Sequence, residues 1–215
     1  MQNKLISIIC LLLLAGCENP PVNKAEPLAA VTAVFESSLD REIRSLLEKG
    51  VSMSERKRQE KTVETIFSRR TTPERARRLA TLCFTKTLDT PFMPFDLAEI
   101  ALAETGGQSL SAVAVSSKGA LGVWQLMPQR ARSHGYTPQD MGNDGKCAEA
   151  AVRELFAKLE SASGNMERAK KLYCGQGPQA DAYMKKIRHI RLEMLAELDR
   201  QTEHFAMEEP AIKTP

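Results

Sequence analysis

The order of apolar and polar positions is helical along nearly the whole chain. From Ala29 to about Lys49 the apolar residues Val31, Val34, Phe35, Leu39, Ile43, Leu46 and Leu47 recur at the spacing of one helix face, and Gly50 is a natural stop. Ser52-Met53-Ser54-Glu55 opens a second helix through the charged run Glu55–Lys61, which is expected to be a solvated face. Thr71-Thr72-Pro73-Glu74 is a start signal, with proline in the first turn, for a helix carrying Ala76, Leu79, Leu82 and Cys83 on its apolar side. Pro91 and Pro94 bracket a break before a short helix at Asp96–Glu104, and Thr105–Ser117, rich in Gly, Ser and Ala, is expected to be irregular. Ala120–His134 reads as a helix that Pro128 ends or bends. Lys146–Leu159 places Ala148, Ala151, Val152, Leu155, Phe156 and Leu159 at a period near 3.6. Met166–Tyr173 and Ala180–Leu198 follow, split by Gly175, Gly177 and Pro178. There is no period-two alternation, sustained heptad or internal repeat. The expected class is mostly α.

Composition agrees. The 215 residues are 42% hydrophobic and 27% charged, enough for one domain of ordinary size plus extensions, and aromatic residues are only 5%. The formal charge of +3 disfavours nucleic-acid binding driven by bulk charge. Five cysteines are too few for a disulfide-built miniprotein.

The N-terminus reads as an address. Lys4 precedes the run Leu5–Gly16, interrupted only by Ser7 and Cys10. As a helix this run rises about 18 Å, short of the ~30 Å hydrocarbon core, so a secretory signal fits better than a membrane span. A buried core helix is the alternative, but the run has no amphipathic pattern. Leu14-Ala15-Gly16-Cys17 resembles the lipobox of bacterial lipoproteins. That resemblance implies cleavage after residue 16, lipid on Cys17 and a location in the cell envelope facing the periplasm; Glu18 after the cysteine points to the outer membrane. Residues 17–28, with Pro20, Pro21 and Pro27, then form a tether.

The densest chemistry lies between Glu104 and Ala131. Glu104 closes the apolar run Ile100-Ala101-Leu102-Ala103, so its carboxyl can stand at the edge of a core, where burial raises a carboxyl's pKa towards the range a general acid needs. Gly119 and Gly122 permit close backbone approach, and Gln125 offers a donor and an acceptor to a sugar amide. Trp124 and Met127 suit a core as well as a ligand. On these features alone, an acid at a helix end is most often solvated and the glycines form an ordinary turn.

Ala114-Val115-Ser116, Gly119-Ala120-Leu121-Gly122-Val123-Trp124-Gln125-Leu126-Met127-Pro128 and Ala131 resemble the motif of soluble lytic transglycosylase-type (SLT) domains. The Gly-Val-Trp-Gln form with Arg132, Gly135 and Tyr136, then Asp144 and Ala148-Glu149-Ala150-Ala151, is most similar to the membrane-bound lytic transglycosylase D branch. Leu172-Tyr173 before Gly175-Gln176-Gly177-Pro178 resembles the family's late Tyr-Asn-x-Gly motif. The resemblance covers Phe95 to Ile187 and implies a lysozyme-like, helical fold. It divides the chain into a signal (1–16), lipidated Cys and tether (17–28), an N-terminal helical region (29–88), the SLT domain (89–200) and a tail (201–215). The residues carried over are Glu104 as the single catalytic acid, with Ser116, Gln125, Met127 and Tyr173 at the substrate.

The implied reaction cuts peptidoglycan between N-acetylmuramic acid and N-acetylglucosamine and leaves a 1,6-anhydro sugar, with no metal and no cofactor. Expected partners are glycan strands and, through lipid, a membrane; an envelope protein complex is left open. Two alternatives stand beside it: a glycan-binding scaffold lipoprotein that no longer cuts, and a water-using muramidase, for which Asp144 is the nearest second acid. Thr105 stands where the family has serine, Ser116 comes later after Glu104 than in the family, and Cys174 replaces the asparagine of the late motif. Because the helix after the motif and the late motif flank the family's cleft, the resemblance favours a Cys147–Cys174 disulfide, with Cys83 a buried thiol. His134, His189 and His204 lack metal-ligand spacing and read as surface residues.

Overall fold

The computed structural model describes residues 52–208, with side chains to Glu203. The signal, Cys17, the tether and the helix expected at Ala29–Lys49 lie outside the described residues. Helix α1 (52–68) is followed by α2 (Pro73–Lys86), α3 (Pro94–Thr105), α4 (Pro128–Ser133), α5 (Asp144–Ser161), α6 (Met166–Cys174) and α7 (Pro178–Glu208), with 3-10 turns at Gly106–Gln108 and Pro138–Gly142. Among the described residues there is no strand, only the isolated bridges Val115–Leu121 and Leu121–Leu126. The mostly α class holds.

Local chemistry starts and stops these helices where the sequence signals them. Thr72 caps α2 by accepting from the Arg75 amide, and Asn143 and Asn165 do the same for α5 and α6. At the start of α3 the Met93 amide donates to Asp96 Oδ2 (2.7 Å), and the Phe95 amide donates to Gln59 Oε1 from α1 (3.2 Å). Residues 120–134, expected as a helix bent at Pro128, are helical only after the proline; before it the chain folds into a bridged turn through Gly119 and Gly122 at positive φ.

α3 lies at the centre, packed on α2, α5 and α7. One core runs from Val63, Ile66 and Phe67 of α1 through Phe95, Leu97 and Ile100 of α3 to Met194 and Leu198 of α7, so the chain passes residue 88 without leaving it. The charged run of α1 is not wholly solvated: Arg56 is buried and donates to the Thr87 (3.1 Å) and Thr90 (3.3 Å) carbonyls, holding the connection into α3.

Asp144, at the start of α5, is buried and meets both terminal nitrogens of Arg75 at 3.0 Å and Arg78 at 2.6 Å. Arg75 Nε also donates to the Leu110 carbonyl (2.9 Å), so one guanidinium ties α2, α5 and the segment after α3. Asp144→Ala is expected to cost about 3 kcal/mol by stranding Arg75. Urea denaturation checks this; a loss within about 0.5 kcal/mol would class the triad with exposed ion pairs.

Candidate active site

Eleven of the twelve residues of α3 are buried, and Glu104 is the exception. The helix carries three acids, and their surroundings differ. Burial works to raise the Asp96 carboxyl, yet Lys170 and Arg191 beside it hold it below its ordinary value. Glu99 is wholly buried, paired with Lys170 and with Arg191 Nε (2.7 Å). Glu104 has no ion pair among the described residues. Burial lifts it from an ordinary 4.5 to about 7, against weaker opposing pulls from the Tyr183 hydroxyl and Lys186. It also sits in the last turn, at the negative end of the helix dipole, which disfavours a charged acid.

Tyr183 and Lys186, both from α7, are absent from the sequence-derived set. The Tyr183 hydroxyl is buried and faces Glu104 more loosely than an ordinary hydrogen bond; no other partner meets it among the described residues. Lys186 Nζ donates to the Ala103 carbonyl, capping the end of α3 beside the acid rather than bonding its carboxylate. Their signal is a helical i, i+3 pair whose tyrosine falls on an otherwise apolar face with Met184 and Ile187.

Three bonds hold the bridged turn, two to α3 and one to α6. Buried Thr105 donates its hydroxyl to the Val123 carbonyl (2.8 Å). Trp124, fully buried, donates its indole N–H to the Leu97 carbonyl (3.0 Å), and the Tyr173 hydroxyl donates to the Trp124 carbonyl (2.9 Å). Gln125 takes a left-handed φ of 51°; its Nε2 donates to the Ala114 (3.2 Å) and Gly122 (2.7 Å) carbonyls, which leaves Oε1 to receive an amide from a ligand. The Ser116 hydroxyl accepts from the Ala120 amide (2.9 Å), and no hydrogen bond joins it to Glu104.

Gln125, Met127 and Tyr173 meet at a cavity of about 210 Å³, whose other wall holds Arg130, Glu154 and Lys158. Met127 is exposed there and does not fill the core. Glu104 does not line this cavity. Its charge bears on Tyr173, which burial and then Glu104 hold well above the usual tyrosine range, so Tyr173 is the residue shared by both halves of the site.

Two expectations need correction, and one alternative loses its acid. Cys147 and Cys174 are not joined: the Cys147 sulfur is buried under the Gly122 turn, where the Trp124 and Val123 amides reach it, whereas Cys174 is exposed at the end of α6. Cys83 is a buried free thiol, as expected. His134 is not a surface residue; its Nε2 lies 2.7 Å from Glu154 Oε2 in a partly buried pair. His189 is exposed, and the His204 side chain lies outside the described residues. Asp144 is engaged by two arginines instead of standing free as a second catalytic acid. No protein family, curated protein or solved structure matches the chain.

Two outcomes follow from this geometry. A methyl at Gly122, where φ is +75°, would overlap the Met141 carbonyl and stand 2.8 Å from Cys147 Sγ. Gly122→Ala is therefore expected to cost about 3 kcal/mol in thermal unfolding. Second, raising the Glu104 pKa from 4.5 to about 7 makes the folded state the stronger proton binder. Its contribution is intact below the lower value and lost as pH rises through the upper one. Glu104→Gln is thus expected to gain on the wild type between pH 4.5 and 7, by up to on the order of 3 kcal/mol. A stability gap that does not move with pH would contradict the burial of this carboxyl.

Proposed function

We propose that this chain is a lipid-anchored lytic transglycosylase with a lysozyme-like domain, acting on peptidoglycan glycan strands from the outer membrane through Cys17. The observation that carries the reading is Glu104: the one residue of α3 that is only partly buried, without an ion pair among the described residues, and held protonated up to about pH 7. A neutral carboxyl at the edge of a dry core can give up a proton under the conditions in which ordinary carboxyls cannot.

In this reaction Glu104 donates its proton to the glycosidic oxygen as the bond to the muramic acid C1 breaks. The sugar's own acetamido oxygen supports the positive charge at C1, a role that spares the protein a second carboxylate. Glu104, now charged, takes the proton of the C6 hydroxyl as that oxygen closes on C1, and the acid is restored. Water enters neither step. Tyr183 supports the charged intermediate state of Glu104 because its hydroxyl favours the carboxylate. Gln125 Oε1 and Tyr173 hold the sugar side of the cleft, with Met127 as an apolar contact. Ser116 acts indirectly, by closing the turn that presents Gln125. The muramidase alternative loses support because Asp144 is bound by Arg75 and Arg78.

The test is digestion of purified sacculi by the full-length chain, with products read by mass spectrometry. Anhydro ends are expected. Reducing ends would assign a muramidase, and bound but intact glycan would assign a scaffold. Glu104→Gln is expected to lower cutting by at least about 10³-fold, and wild-type cutting to fall as pH passes 7. Tyr183→Phe should move that limb to higher pH, since it removes a group that favours the charged acid.

A further inference from the structure

Beside the proposed acid, the cavity against Gln125, Met127 and Tyr173 has a charge balance that the reaction itself does not use. Its other wall is built by α4 and α5, which bring Arg130 and Lys158 to one buried acid, Glu154. Lys158 Nζ lies 3.1 Å from Glu154 Oε1, Arg130 Nε 3.5 Å from the same oxygen, and His134 Nε2 2.7 Å from Oε2. Glu154 is the only acid lining the cavity, against two permanent cations. Arg130 comes nearest to it through Nε, its two terminal nitrogens make no hydrogen bond among the described residues, and its side chain is 54% exposed. A guanidinium held by one nitrogen, with its terminal fork free, is arranged to take a second carboxylate bidentately.

At about 210 Å³ the space is smaller than the ~300 Å³ at which pockets for whole ligands begin, so it suits a substituent rather than a sugar ring. We propose that this cavity receives a carboxylate borne by the substrate, with Arg130 and Lys158 as its cations and Glu154 as the counter-ion that holds them in place. The inference rests on the glycan-strand reading above and deepens it. The carboxylate has two sources in such a strand: the lactyl group of a bare muramic acid, or a stem peptide attached to it. Arg130 and Lys158 set which strands bind; they are specificity residues and not catalytic ones.

Binding to the full-length chain carrying Glu104→Gln, which removes turnover, separates the cases. The probes are neutral chitotetraose, a bare glycan tetrasaccharide with free lactyl carboxylates, and the same tetrasaccharide with stem peptides. At least one carboxylate-bearing probe is expected to bind about tenfold more tightly than chitotetraose at low salt, and the tighter of the two identifies the source. The preference should fall below about twofold when Arg130→Gln and Lys158→Met are added, and should shrink between about 0.05 and 0.3 M salt. Arg130→Gln alone, at a half-exposed side chain, should lose at least about threefold of it, which keeps the test open if the double variant fails to fold. With Glu104 intact, the same changes should raise KM and leave kcat. Equal affinity for neutral and anionic probes, or a preference that survives both substitutions, overturns the proposal. If anhydro products form while affinities are equal, only this inference falls; if no glycan probe binds and none is cut, the underlying reading falls with it.

Discussion

Burial of α3 leaves its three acids two means of being accommodated, and the candidate site follows from that difference. A charged group in a dry interior must find an opposite charge or give up its own. Asp96 and Glu99 take the first course, sharing Lys170 from α6 and Arg191 from α7. These pairs also fix how α6 and α7 sit on α3. Among the described residues no third cation is bonded to Glu104 at the C-terminal end, where Lys186 donates to the Ala103 carbonyl. Glu104 therefore takes the second course and holds its proton. The same helix thus carries an ionised anchor at one end and a neutral acid at the other, and the distinction comes from which helices reach each end.

The segment after α3 is held by strained backbone and by Arg75. Ser109 and Leu110 both adopt left-handed φ near 55°, a costly conformation for residues with a Cβ. Leu110 is kept there because its side chain is fully buried, its amide donates to the Thr105 carbonyl (3.1 Å) and its own carbonyl is held by Arg75. Beyond that point the chain comes to the surface, with Val113 and Val115 exposed on either side of buried Ala114, and returns through the bridged turn. At the head of this segment the Thr105 hydroxyl ties α3 to Val123.

Helix positions were legible because periodic apolar residues, proline and Asn or Thr caps are local signals: α5 and α6 begin within two residues of where the pattern places them. The stretch before Pro128 was not. Leu121, Val123, Trp124 and Leu126 satisfy an apolar count for a helix, yet Gly119 and Gly122 at positive φ and Gln125 in the left-handed region turn the chain instead. What decides between those readings is the close approach of Met141 and Cys147 to Gly122, a contact made across twenty or so residues that no local window contains. Glu104, Gln125 and Tyr173 came from the motif they resemble. Tyr183, Lys186 and the His134–Glu154 pair were not, since nothing in sequence spacing says which residue of a later helix meets the end of an earlier one. The disulfide expected between Cys147 and Cys174 failed for the same reason: proximity to one cleft does not set the direction of a thiol.

The helices before residue 88 bear on the site through α7. Tyr183 and Lys186 stand in its first turns against the end of α3, Arg191 holds Asp96 and Glu99 about a turn further on, and Gln201 bonds Thr62 (3.0 Å) and Thr65 (3.1 Å) of α1. Arg69, just after α1, adds pairs to Glu193 and Glu197. From Tyr183 to Gln201 the helix rises about 27 Å at 1.5 Å per residue, so a single rigid rod links α1 to Glu104. The exposed pairs along it are individually weak. The buried ones, Thr62 and the Asp96–Glu99 cluster, fix the rod in rotation and height. A tyrosine hydroxyl can face a carboxyl without a full hydrogen bond only if the helix bearing it cannot slide to make one. On that argument α1, which also meets the start of α3 where Gln59 accepts from the Phe95 amide, helps to hold in place the helix that bears Tyr183.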